Sequence, residues 1–313
     1  MRIQILLIAL ICASLGPAPS LAAGPGDSHS SQRALRLWEQ LDDRRLKLKS
    51  EAALVVDHFG NTLYAQKDDT PKPIASLTKL MTAMVILDAK LPLDEKIEIT
   101  KADRDLLRLT GSRLKYGARL TRGELLTLAL MSSENRAAAA LGRTFPGGMD
   151  AFVAAMNRKA RELGMQNSRF ADPAGLHVEN QSTAADLARM VDAAQDYPLI
   201  RKASTNTRYE VRPYKGRGPL VYGNTNRLLK NKNWSIDVSK TGYIMEAGRC
   251  LVMKATIGGE RIAIVLLNSY GKLTPFGDAN RVRKWIESGI VKQRQQQAAV
   301  SKSNATETVE PAG

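Results

Sequence analysis

Ile74-Ala75-Ser76-Leu77-Thr78-Lys79-Leu80-Met81-Thr82-Ala83 is the stretch on which the fold turns. From Leu77 to Leu87 the chain is apolar on nearly every side, as expected of a helix enclosed by the molecule rather than lying on its surface. Lys79 stands inside that run, three residues after Ser76, and this spacing places both on one helical face. A buried lysine beside a second cation has its pKa lowered, and as a neutral amine it can take the proton of a serine hydroxyl. A helix start also directs backbone N–H groups towards such a serine, which suits a developing oxyanion. Alone, the pattern has a plainer reading, with Ser76 a helix cap and Lys79 a solvated charge.

Outward from this helix, residues 53–56 and 62–65 flank 57–61 and read as a β-hairpin. Helical patterns follow over about 121–203, with examples at 123–131, 149–163 and 183–194, joined by turns at Pro146-Gly147-Gly148 and Asp172-Pro173-Ala174-Gly175. Strand signals return at 238–244, 251–257 and 261–267, with Gly258-Gly259 as a two-residue turn, and a closing helix is expected over 279–288. Strands at both ends around a helical block imply an α+β fold: one antiparallel sheet from the two chain ends, packed against a helical lobe. A site is expected in the cleft between them. Residues 23–50 read as a loose linker and a short amphipathic helix over 32–49, residues 51–291 as the globular domain, and 292–313 as a disordered tail.

Two further motifs bear on the chemistry. Ser133-Glu134-Asn135 falls at a junction between helices, where a hydroxyl and an amide two residues apart can face one site; read alone it is a capping turn. Lys240-Thr241-Gly242 lies on a C-terminal strand and offers a positive charge and a hydroxyl to an acidic substrate end. Gly242 leaves room for another backbone against the strand edge.

In this order, S-x-x-K, S-x-N and K-T-G resemble the signature of penicillin-binding proteins and class A β-lactamases. The chain is similar to the serine D,D-peptidases, the low-molecular-mass penicillin-binding proteins, over about residues 50–290. Leu130-Met131-Ser132-Ser133-Glu134-Asn135-Arg136-Ala137-Ala138, Leu163-Gly164-Met165 with Asp172-Pro173-Ala174-Gly175-Leu176, and Asn224-Thr225-Asn226-Arg227-Leu228-Leu229 extend the match. The resemblance implies a β-lactamase/D,D-peptidase-like fold and a D-alanyl-D-alanine endopeptidase acting on peptidoglycan, with a carboxypeptidase as the alternative. It makes Ser76 the acylated nucleophile, Lys79 its proton acceptor, Ser133 a proton relay and Asn135 the group that orients the substrate amide and Lys79. Lys240 and Thr241 would hold the substrate's carboxylate side, Lys240 would depress the Lys79 pKa, and the backbone N–H groups of Ser76 and Tyr243 would form the oxyanion hole. Stem peptides of peptidoglycan are the implied partner and β-lactams the implied covalent inhibitors. No cofactor is expected. Glu134 departs from the commoner S-D-N and S-G-N and receives no catalytic role.

Composition and the N-terminus point the same way. The 313 residues are 43% hydrophobic and 25% charged, which excludes a disordered chain, a collagen-like fibre and a polytopic membrane protein. Lys and Arg number 46 against 31 Asp and Glu, a net charge of +15 that calls for an anionic partner without choosing one. Met1-Arg2, an apolar run over 3–15, Gly16-Pro17-Ala18-Pro19 and then Ser20-Leu21-Ala22 read as a secretory signal over 1–22. The run is short for a bilayer core of ~30 Å, so no integral anchor is expected. Cys12 lacks the preceding small residues of a lipoprotein site. Cleavage after Ala22 would leave 291 residues, a charge of +14 and Cys250 alone, hence no internal disulfide. Export makes nucleic acid a poor partner, and the resemblance implies the periplasm of a Gram-negative bacterium as the destination. His29, His58 and His177 are too scattered for a metal site, and Glu162 and Glu179 lack the context of a β-lactamase's deacylating glutamate. A non-catalytic wall-binding module would leave the three motifs without a reason.

Overall fold

The computed structural model describes residues 38–307. Five strands, β1 (Ser50–Asp57), β2 (Thr62–Gln66), β3 (Ser235–Ile244), β4 (Gly248–Ile257) and β5 (Glu260–Ser269), form an antiparallel sheet in the order β2-β1-β5-β4-β3. The two chain ends meet where β1 pairs with β5, from Ser50 opposite Ser269 to Asp57 opposite Ile262, as the strand pattern predicts. Both faces of the sheet are covered, so its strands are apolar on both sides. Along β5, Ala263, Val265 and Leu267 face the main core, while Ile262, Ile264 and Leu266 face a second core under the C-terminal helix. The turn at Gly258-Gly259 joins β4 to β5.

The helical lobe contains α1 (Thr78–Asp88), α2 (Arg122–Met131), α3 (Asn135–Arg143), α4 (Gly148–Glu162), α5 (Ala184–Ala194) and α6 (Pro198–Thr205). Every residue of α1 from Thr78 to Ile86 is buried, so this helix is the axis around which the lobe packs. Thr121 and Glu124 cap the start of α2 reciprocally, and the lobe's smaller strand pairs, 96–98 with 119–121 and 208–211 with 220–223, support the loops around the cleft. No helix among the described residues is long and apolar enough to cross a membrane.

Two expectations fail at the ends. The amphipathic helix expected over 32–49 does not reach its expected end: residues 32–37 lie outside the described residues, Trp38 is helical, and beyond it a turn and a 3-10 turn, Asp43–Arg45, are followed by an extended run into β1. Tertiary contacts override the local pattern there. Trp38 donates from Nε1 to Asp57 at 2.6 Å, Trp285 donates to the carbonyl of Asp42 at 2.9 Å, and Leu46 is buried in the second core. At the other end, helix α7 (Thr274–Glu307) runs far past the expected stop at Ser288, so the segment expected to be a loose tail is helical to Glu307. Residues 291–307 hold no Gly or Pro and are rich in Gln, Ala and Lys, which favour helix. The signal segment 1–22 and the linker over 23–31 lie outside the described residues.

Candidate active site

Ser76 sits in a 3-10 turn, Ala75–Leu77, that runs directly into α1. Ala75 is held at φ +47°, an uncommon conformation for a residue with a Cβ, and this sharp turn presents the Ser76 hydroxyl to the cleft. One turn further on, Lys79 is completely buried, with Nζ 2.8 Å from Ser76 Oγ, 2.8 Å from Asn135 Oδ1 and 2.6 Å from the carbonyl oxygen of Ala174. Burial pushes the Lys79 amine down to about 7, against the opposing pull of Asp172, Glu134 and Asp105.

The surroundings decide which way that amine points once it is neutral. The Asn135 amide donates from Nδ2 to Thr110 Oγ1 at 2.9 Å, and the Thr110 hydroxyl is itself committed to Asp105 at 2.7 Å. Asp105 also accepts backbone N–H groups of Leu107, Arg108 and Thr110, so it is an acceptor on every side. This network fixes Oδ1 of Asn135 towards Lys79. Asn135 Oδ1 and the Ala174 carbonyl can only accept, so the two N–H groups of the neutral amine go to them. Its lone pair is left for Ser76, the arrangement a general base requires.

The Ala174 carbonyl is placed by Asp172, whose carboxylate accepts from the backbone N–H groups of Ala174, Gly175, Leu176 and His177 and from Asn180 Nδ2, at 2.6 to 3.0 Å. Gly175, at φ +75°, lets this loop pass against the nucleophile turn: a Cβ there would lie 1.9 Å from the Ala75 oxygen.

Ser133 and Asn135 straddle the junction from α2 to α3, with Ser133 at φ +59° and Glu134 capping α3 through Arg136 N at 3.3 Å. Lys240 reaches across from β3 and donates from Nζ to Ser133 Oγ at 2.9 Å and to the Thr241 carbonyl at 2.8 Å. Burial lowers the Lys240 amine well below its ordinary value, and the Lys79 charge lowers it further. The expectation that Lys240 depresses the Lys79 value is not met: burial lowers Lys79, while the Lys79 charge acts on Lys240. Thr241 Oγ1 donates to Thr225 Oγ1 at 2.7 Å. A Cβ on Gly242 would come within 2.9 Å of the Ile74 oxygen and 3.1 Å of the Ser76 nitrogen, so glycine lets β3 lie against the nucleophile turn. Tyr243 is half exposed, with the Arg249 guanidinium stacked 3.7 Å from its ring centre.

All eight residues expected from the sequence therefore meet at one place. Ser76, Ser133, Asn135, Thr241, Gly242 and Tyr243 line a cleft of about 730 Å³ between the lobes, and Lys79 and Lys240 lie buried behind it. Arg227, Lys230, Arg249 and Lys272 also line it, and among the described residues no carboxylate does. Glu162 and Glu179 are at the surface and do not line it. Sequence reading gave no site role to Asp105, Thr110, Asp172 or Ala174, although it placed the last two in a turn; the polar loop signals around the two aspartates are the traces that could have found them.

A hydroxyl activated by a buried amine, with a second amine and hydroxyl facing it across a sheet edge, defines a serine acyl-transfer enzyme of the D,D-peptidase type. The chain belongs to the peptidase S11 family, whose profile, described as D-alanyl-D-alanine carboxypeptidase, matches residues 39–271. It is 44% identical over 292 residues to a D-alanyl-D-alanine endopeptidase of Pseudomonas aeruginosa, covering 93% of this chain and 91% of the relative. A D-alanyl-D-alanine endopeptidase of Escherichia coli K12 is 45% identical over 247 residues, 78% of this chain and 79% of the relative. Among solved structures, the Streptomyces K15 DD-transpeptidase superposes with a TM-score of 0.71 at 27% identity, over 77% of this chain and 98% of that one.

Proposed function

We propose that this chain is a penicillin-binding D-alanyl-D-alanine endopeptidase of the Gram-negative periplasm, hydrolysing D-Ala–diaminopimelate cross-links in peptidoglycan through an acyl-enzyme on Ser76. The observation that carries the reading is the neutral-prone Lys79 amine, 2.8 Å from Ser76 Oγ with its other contacts all acceptors. Lys79 takes the Ser76 proton as Oγ attacks the D-alanyl carbonyl, and the oxyanion forms against the backbone N–H groups of Ser76 and Tyr243. Ser133, in contact with Lys240, passes a proton to the departing amine. Asn135 orients the donor amide and Lys79. Lys240 and Thr241 meet the carboxylate on the leaving side, and that anion favours the charged form of Lys240. Water then releases the acyl group by the reverse proton path. The relatives called endopeptidases, and a cleft wall of cations suited to carboxylate-bearing stem peptides, support the cross-link as substrate over terminal D-Ala alone.

Labelled penicillin tests the mechanism: folded wild-type protein is acylated and Ser76→Ala is not. Equal labelling of both would refute it. Digestion of cross-linked muropeptides tests the substrate, since loss of terminal D-Ala without opening of cross-links would make the enzyme a carboxypeptidase.

A further inference from the structure

We infer that Arg108 and Glu246 form a clasp across the acyl-donor end of the cleft and set the length of donor chain that enters freely, an inference that rests on the peptidase reading above. Arg108 belongs to the loop of the helical lobe that also carries Asp105 and Thr110, and so to the wall that holds Asn135. Glu246 lies in the turn between β3 and β4, on the opposite wall. Arg108 Nη2 is 3.0 Å from Glu246 Oε2, and Arg108 Nε donates to the Leu176 carbonyl at 2.6 Å. One guanidinium thus joins three segments that each serve the site: the Asn135 wall, the loop that offers the Ala174 carbonyl to Lys79, and the hairpin of β3.

Direction along the cleft follows from the site. With Thr241 on the leaving side and Ser76 against Gly242, the donor chain runs along the edge of β3 past Tyr243 towards the turn. Gly242 and Glu246 are four positions apart, at most about 13 Å at strand spacing, room for about three or four donor residues before the chain meets the pair. The clasp is built to open. The Glu246 side chain is 46% exposed and the Arg108 side chain 19%, and such pairs contribute little to folding and are screened by salt. Exposed Leu106, Leu107, Leu109 and Met245 flank it and offer apolar surface to a chain that displaces it.

The test uses Glu246→Gln, which keeps size and removes charge, and Glu246→Lys, which sets a cation against Arg108. Two cross-link mimics share one acceptor strand: one has a two-residue donor, the other a four-residue donor carrying the glycan. For the long donor, kcat/KM rises about two- to five-fold in Glu246→Gln, the closed-to-open ratio expected of a half-exposed ion pair, and at least as much in Glu246→Lys. The short donor stays within about twofold on the same reasoning. In wild type the ratio of long-donor to short-donor rates climbs with ionic strength, and in Glu246→Gln it does not. Equal changes for both donors, or none, would overturn the clasp. Penicillin acylation of the same proteins separates the two readings: its absence from wild type sinks the peptidase, whereas normal acylation with an unmoved donor ratio sinks the clasp alone.

Discussion

Replacing Lys79 with Met should abolish acylation of Ser76 while making the folded protein less sensitive to pH. A lysine free in the unfolded chain titrates near about 10.4, and burial holds Lys79 in the folded protein at about 7. Between those values the unfolded chain binds a proton that the folded chain does not, so the lysine's contribution to folding improves as pH rises. The sign is fixed: the cost is fully present below the folded value and is gone above the unfolded one. Integrated between pH 7 and pH 9, the gain is about 2 kcal/mol, with a slope approaching about 1.4 kcal/mol per pH unit. Methionine has no proton to lose and nearly the same reach. Lys79→Met is therefore favoured most near neutrality, and its advantage over wild type shrinks by about 2 kcal/mol towards pH 9. Loss of hydrogen bonds to Ser76, Asn135 and Ala174 shifts the whole difference by a constant and leaves its slope alone. Urea unfolding of both proteins at three pH values measures it. A difference independent of pH would show that Lys79 is an ordinary ammonium, and the general-base argument would fall with it.

Two further substitutions probe the placement of that amine. Thr110→Val removes the acceptor that holds Asn135 Nδ2, freeing the amide to flip and set a donor against Lys79. Acylation by labelled penicillin should slow about tenfold, equivalent to about 1.4 kcal/mol, with little change in melting temperature; an unchanged rate would mean the amide is fixed by other contacts. Gly242→Ala puts a methyl group 2.9 Å from the Ile74 oxygen and 3.1 Å from the Ser76 nitrogen. β3 must move back from the nucleophile turn, so acylation should fall by about 10²-fold while far-UV circular dichroism stays native. Wild-type acylation would show that the close approach of strand and turn is not needed.

What the sequence could show follows from how far each signal reaches along the chain. Ser76 and Lys79 are one helical turn apart in an apolar helix, and Lys240-Thr241-Gly242 lies on a β-patterned strand, so both were legible locally. The same local reading failed between Trp38 and Lys49 and after Ser288. In the first, Trp38 and Leu46 answer to Asp57 and the sheet rather than to their neighbours; in the second, polar composition was taken for disorder although nothing in it breaks a helix. The supports of the site were hidden for a different reason. Asp105 and Asp172 act by gathering backbone N–H groups of their own loops, and only folding brings those loops against Lys79 and Asn135, as much as 95 residues away in the chain. Nor does composition reveal that Ala75 and Ser133 are held at positive φ without being glycine. Such conformations persist where the surrounding structure imposes them. Here the constraint is visible at both: Ala75 is pinned between β3 and the Gly175 loop, and Ser133 between two helix ends and the Lys240 amine. Lys67, Lys90, Leu109 and Asn268 also adopt positive φ, but only at Ala75 and Ser133 does the turn carry a reacting hydroxyl, so relaxing either one would move a hydroxyl away from its amine.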